Sequence, residues 1–172
     1  MGAEHELLAH VPRLRRYARA LVRNPELADD LVQDTLERAL RNFEKFEAGS
    51  DLRAWLFTIM HNLFLGQIRK ASARASHVAL DDEGIAEREF ATQGNQADRL
   101  EVRDLDYALQ RLPIDQREVV LLIGLEGMSY TDVALTLEIP LGTVMSRLSR
   151  GRERLRALMG SAQPARALRA AR

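Results

Sequence analysis

Apolar residues recur at helical spacing along almost the whole chain, and no alternating run of β-branched and aromatic residues suggests a sheet. Over residues 5–22, Leu7, Leu8, Val11, Leu14, Ala18 and Leu21 share one helical face, with Pro12 marking a break or kink. Asn24-Pro25-Glu26 starts a second helix: a capping Asn, Pro in the first turn, and an acid where the helix dipole favours one. Its stripe is Leu27, Leu31, Val32, Leu36, Ala39, Leu40 and Phe43. Ser50 or Asp51 caps a third helix that runs to about residue 70 and buries Leu52, Trp55, Leu56, Ile59 and Leu63.

The periodicity then lapses. Residues 71–98 mix Ala, Ser, Asp, Glu, Gly and Gln and read as a linker, with a short helix expected near 84–90. A fourth helix is expected over 99–111, with Leu100, Leu105, Ala108, Leu109 and Leu112 apolar. After Pro113, Asp115 and Glu118 have capping-box spacing, Val119, Val120, Leu122 and Ile123 supply a buried face, and Gly127 is a natural stop. Ser129 and Asp132 repeat the capping spacing ahead of a short helix, 130–137, with Val133, Ala134 and Leu137 inward. Residues 138–142 leave room only for a tight turn. The last helix carries an inner stripe of Val144, Leu148, Gly151, Leu155 and Leu158. The expected class is all-α: two small helical domains joined by a flexible linker, the second containing a helix-turn-helix.

Composition narrows the function. The 172 residues carry 25 Lys+Arg, 25 Asp+Glu, four His and no Cys, which excludes disulfide scaffolds, thiolate metal sites and cysteine nucleophiles. No apolar run approaches the ~18 residues of a membrane span, and the charged N-terminus is unlike a signal peptide, so a cytoplasmic location is expected. The zero net charge hides a pattern. Residues 1–75 hold 12 basic and 10 acidic side chains, 76–106 hold 3 and 9, and 107–172 hold 10 and 6. Two basic modules flank an acidic connector, and residues 145–172 contain eight Arg opposed only by Glu153. A polyanionic partner fits this distribution, as does a solvated helix face.

Three surfaces are candidates for function. On the last helix, Thr143, Ser146, Arg147, Arg150 and Arg154 lie away from Val144 and Leu148, and Gly142 leaves the helix N-terminus open to a phosphate. A short helix, a tight turn and an Arg-bearing second helix together favour DNA over an ordinary helical hairpin. On the second helix, Asp30, Gln33, Asp34 and Glu37 form an acidic stripe opposite the apolar one. Alone it reads as a solvated face; as a functional face it would meet a basic protein surface. On the third helix, Trp55 and Phe57 lie among His61, Asn62, Arg69 and Lys70, a mixture suited to unstacked nucleotides, although Trp55 also fits the core.

The strings LADDLVQDTLERAL and GSDLRAWLFTIMHN resemble the core-binding and melting regions of bacterial sigma factors, and LPIDQREVVLLIGLEGMSYTDVALTLEIPLGTVMSRLSRGRERLR resembles their promoter-recognition region. The order and the short linker are similar to the extracytoplasmic-function (ECF) class, over residues 5–160. The resemblance implies a division into a region 2-like domain (1–72), an acidic linker (73–98), a region 4-like domain (99–160) and a basic tail (161–172). It implies that Asp30, Gln33 and Asp34 dock on the clamp helices of core RNA polymerase. It implies that loop residues Phe46, Ala48 and Ser50, with Ile59 and Asn62, capture a flipped base of the −10 element, and that Arg69 and Lys70 hold nearby phosphates. Met145, Ser146, Ser149 and Arg150 would read the −35 major groove, with Thr143 and Arg147 on phosphates. Met145 stands where the family often has a basic residue, and Ser149 where a bulkier one is frequent. An anti-sigma protein is the further partner implied.

Such a protein has no catalytic residues, metal or cofactor of its own. The competing reading is a free-standing helix-turn-helix regulator that binds DNA without polymerase, which would have no use for the acidic stripe. An enzyme is disfavoured: His5, His10, His61 and His77 show no ligand spacing, and there is no glycine-rich phosphate loop.

Overall fold

The structure, a computed structural model, describes residues 2–77 and 96–170. The linker helix expected near 84–90 lies outside the described residues. The first three helices are α1 (Ala3–Leu21), α2 (Pro25–Arg41) and α3 (Leu52–His77), with a 3₁₀ turn at Phe43–Lys45. Then come α4 (Gln96–Gln110), α5 (Ile114–Gly124), α6 (Tyr130–Leu137) and α7 (Leu141–Ala170). Helices α1–α3 pack on one another; α5 and α6 pack together, and α7 packs against α4, α5 and α6. The two groups meet along α1 against α4 and α5, and α3 against α6, so the buried residues form one continuous cluster.

Local signals set most helix ends. The Asn24 side chain accepts hydrogen bonds from the Glu26 and Leu27 amides at 2.9 and 3.2 Å, ahead of Pro25 in the first turn. Asp51, rather than Ser50, caps α3 by accepting from the Arg53 and Ala54 amides. Ser129 accepts from the Asp132 amide at 3.0 Å and caps α6 over the expected 130–137 span. Glu138, at φ 53°, takes the left-handed position that closes α6 and begins the tight turn.

Several expectations change. Pro12 does not break α1; the helix is continuous through it, with the ring exposed where a missing amide bond is tolerated. On α2, Leu31, Val32 and Ala39 of the expected stripe are buried, but Leu27 and Leu40 are about half exposed, and Ala28 and Thr35 are fully buried in their place. The small residues let α2 lie close against α1 and α3, and the Thr35 hydroxyl is satisfied by the Leu31 carbonyl at 2.7 Å. On α3 Leu56 is buried as expected, but the other buried residues are Phe57, Met60 and Phe64, whereas Leu52, Trp55, Ile59 and Leu63 are half-buried. Helix α3 has neighbours on two sides, α2 and α6, so no single stripe describes it. Leu8 and Leu105 are exposed. The Asp115–Glu118 capping box does not form: Asp115 accepts from the Gln116 amide, and Glu118 is buried. Helix α5 ends at Gly124, and Gly127 (φ 64°) serves the following turn, where the Met128 amide bonds the Leu122 carbonyl. Helix α7 extends to Ala170, well past residue 160.

Gly151 marks the closest approach of α5 and α7. A Cβ there would lie 2.7 Å from Val120 Cγ2, whereas one at Gly142 meets nothing within 4 Å. Gly151→Ala is therefore expected to lower stability by about 1–3 kcal/mol through overpacking, with Gly142→Ala near neutral; thermal unfolding of both variants checks this.

Candidate functional site

The acidic face of α2 points to solvent. Asp30, Gln33, Asp34 and Glu37 are all exposed, Gln33 bonding Glu37 at 3.2 Å. Asp29, one residue away, is instead tied to Arg15 and Arg19 of α1 at 3.5 and 3.4 Å. Among the described residues Asp30 and Asp34 have no ion-pair partner. The exposed Leu27 flanks the same face, so α2 presents unpaired carboxylates beside bare apolar surface.

The Asp34 end of that face opens into a cleft of about 310 Å³ between α2 and α3, lined by Arg38, Ile59, Asn62, Leu63, Gly66 and Lys70 among others. Ile59, Asn62 and Lys70 are thus brought together in one cleft, and Arg69, beside Lys70 in the chain, is exposed but does not line it. Phe46 lies further along α3, packed on Trp55 (5.3 Å between ring centres) and Phe43 (5.7 Å). Ala48 and Ser50 are exposed in the loop between Phe46 and α3, where Gly49 takes φ 96°. Phe57 is not available to a nucleotide: it is buried edge-on against Tyr17, ring centres 5.0 Å apart. Spacing alone did not indicate Arg38 and Gly66 as cleft residues, because α2 supplies one wall and a glycine carries no signal of its own.

On α7, Met145, Ser149 and Arg150 are exposed, and Thr143, Ser146 and Arg147 are half-buried. The Ser146 hydroxyl donates to the Thr143 carbonyl at 3.2 Å. Arg147 Nε lies 3.4 Å from Asp115 of α5, which steadies the helix start and leaves its other N–H donors for a second partner. Met145 and Ser149 share an open groove of about 250 Å³ with Leu148, Tyr130, Arg152 and Arg156; the last three were not singled out from the sequence.

A second set of polar residues holds the two helical groups together, and the sequence reading missed it. Arg117 is buried. Its guanidinium bonds the carbonyls of Leu109, Gln110 and Leu112 at 2.8–3.0 Å, and that of Leu21 at the end of α1 at 2.8 Å. Burial lowers its pKa, opposed by Asp106 and Glu118. Glu126, also buried, bonds Arg16 at 2.8 Å with Arg13 at 3.9 Å, and its carbonyl accepts from Arg53 at 3.1 Å. His61 Nδ1 meets Glu118 at 2.7 Å, and Gln110 donates to the Ala20 carbonyl at 2.9 Å. Burial, with Glu118 and Glu126 nearby, raises the Tyr17 phenol well above its usual range and keeps it neutral. The available signal was an Arg-Glu pair set directly against the apolar run 119–123, which has no place on a solvated face.

The comparisons decide the family. Residues 7–61 match the Sigma2 domain of PhyR, and residues 103–155 match sigma-70 region 4. The chain is 43% identical over 154 residues to the ECF RNA polymerase sigma factor EcfG of Rhodopseudomonas palustris, covering 90% of this chain and 83% of that protein. This chain belongs to the ECF RNA polymerase sigma factors. The ECF sigma factor SigM of Mycobacterium tuberculosis is 34% identical over 88% of this chain and 74% of its own length. Among solved structures, the sigma factor RpoE of Bartonella quintana, in complex with the anti-sigma factor NepR, superposes with a TM-score of 0.80 at 40% identity, covering 91% of this chain and 96% of that one. CnrH in complex with the cytosolic domain of CnrY gives 0.65 at 26% identity, covering 92% and 87%. The likeness to sigma factors runs through the N-terminal helices as well as the helix-turn-helix, so a free-standing regulator is not favoured. No described helix of this ECF sigma factor is long and apolar enough to cross a membrane, and no described cluster of His, Asp and Glu is arranged to hold a metal.

Arg117→Met is expected to cost about 3–5 kcal/mol, because it strands buried carbonyls at the ends of α1 and α4. Urea unfolding checks the magnitude.

Proposed function

We propose that this ECF sigma factor recruits core RNA polymerase through α2, melts the −10 element in the α2–α3 cleft and reads the −35 element with α7. The observation that carries this reading is the pair of matched regions, 7–61 and 103–155, on one chain. The working division is 1–72, 73–98, 99–160 and 161–172, in a cytoplasmic protein.

Each step follows from the chemistry on its surface. Unpaired Asp30 and Asp34, with Gln33 and exposed Leu27, suit a basic, partly apolar protein face such as the polymerase clamp helices. Melting is base extrusion, which costs a few kcal/mol for unstacking and is offset by contacts to the flipped base. Phe46 packs on Trp55, which stands one and two turns before the cleft residues Ile59 and Asn62 on α3, so a single strand that follows this face would reach both the Phe46–Ser50 loop and the cleft. Arg69 and Lys70 at its far end supply positive charge for the backbone. In the −35 groove, Ser146, Ser149 and Arg150 present hydrogen-bonding groups to base edges, Met145 presents its side chain beside them, and Thr143 and Arg147 reach phosphates near the α7 N-terminus. The solved relatives bound to NepR and CnrY support an anti-sigma partner for this chain as well.

Asp30→Arg combined with Asp34→Arg is expected to abolish co-elution with core polymerase while the circular dichroism spectrum stays native; retained binding contradicts the docking face. Asn62→Ala should keep polymerase binding and slow open-complex formation, followed by permanganate reactivity of unpaired thymines. Arg150→Ala should lose about 1–3 kcal/mol on the cognate −35 element and less on unrelated DNA; equal loss on both makes it a phosphate contact.

A further inference from the structure

We infer that Met145 reads the 5-methyl group of a thymine in the −35 element. The inference rests on the proposed seating of α7 in the major groove and goes beyond it by naming the base feature taken.

Met145 is 53% exposed on the outward face of α7, at the rim of the groove it shares with Tyr130, Leu148, Ser149, Arg152 and Arg156. A thioether donates no hydrogen bond, so it cannot form the paired contact to guanine O6 and N7 that a basic residue makes at such a position. The one apolar group that base pairs show in the major groove is the thymine methyl. Leu148, buried directly beneath, gives the thioether an apolar backing, and the flexible unbranched chain of Met can follow the methyl as the helix settles. The polar groups around it fix the approach. Ser149 lies one turn on. Arg152 and Arg156 continue the same line along the helix, where they are placed to neutralise backbone phosphates while Tyr130 closes the groove from α6. Removing one methyl from such a contact is worth a change in affinity of roughly 3–5-fold.

The test uses polymerase holoenzyme reconstituted with the full chain and a promoter recovered by transcription from a genomic library. Each thymine of the −35 element, on either strand, is replaced singly by deoxyuridine, which deletes the methyl and leaves every hydrogen-bonding group in place. Affinity is expected to fall about 3–5-fold at one thymine for the wild type and for Met145→Leu. Met145→Ala is expected to bind the thymine and uracil promoters equally. The inference is overturned if no thymine responds, or if the same penalty persists in Met145→Ala. Arg150→Ala separates this failure from that of the underlying reading. Lost −35 discrimination in Arg150→Ala, with no uracil effect, keeps α7 as the reading helix and removes only the methyl contact. A holoenzyme indifferent to the whole −35 sequence removes both.

Discussion

The Arg117 guanidinium is the constraint on which the arrangement of helices depends. It is buried where the ends of α1 and α4 converge on the start of α5, and it satisfies the orphan carbonyls of Leu21, Leu109, Gln110 and Leu112. A cation at helix C-termini is also favoured by their dipoles. Glu126 with Arg16, and Glu118 with His61, complete the seam. Polar contacts of this kind resemble a reversible inter-domain interface more than a domain core, since each partner can be hydrated on separation. With the seam on the inside, the acidic face of α2, the α2–α3 cleft and the outer face of α7 are all left facing outward.

The helices were legible because their signals are local. Asn24-Pro25, Ser129 and the 130–137 periodicity each specify a start or a span without reference to anything distant. The faces were less so. The apolar stripe correctly placed Leu31, Val32 and Ala39 on the buried side of α2, yet close packing added Ala28 and Thr35 and left Leu27 and Leu40 outside. Periodicity ranks residues by apolarity, whereas a close helix crossing ranks them by size. Helix α3 failed for another reason: with neighbours on two sides it has no single buried stripe to find.

The candidate site divides in the same way. The exposed positions of α2 and α7 followed from helical geometry, since a residue opposite a buried stripe faces out. The cleft is assembled from two helices, so Arg38 and Gly66 emerged only when α2 and α3 were set side by side. Phe57 shows the converse, an aromatic near basic residues whose fate is decided by Tyr17, forty residues earlier in the chain. Arg117 and Glu126 are visible only as charges out of place in an apolar stretch, because their partners come from helices far off in sequence.

The central claim is that one chain couples polymerase to two promoter elements, and transcription by a reconstituted enzyme tests it most directly. Sigma-free core polymerase mixed with this protein and a fragmented genomic library should yield new, discrete start sites, each preceded by the same pair of sequence elements at a fixed spacing. Start sites with a shared −10 element and no −35 element would contradict the role given to α7. The absence of any start beyond those of core polymerase alone would contradict the account as a whole.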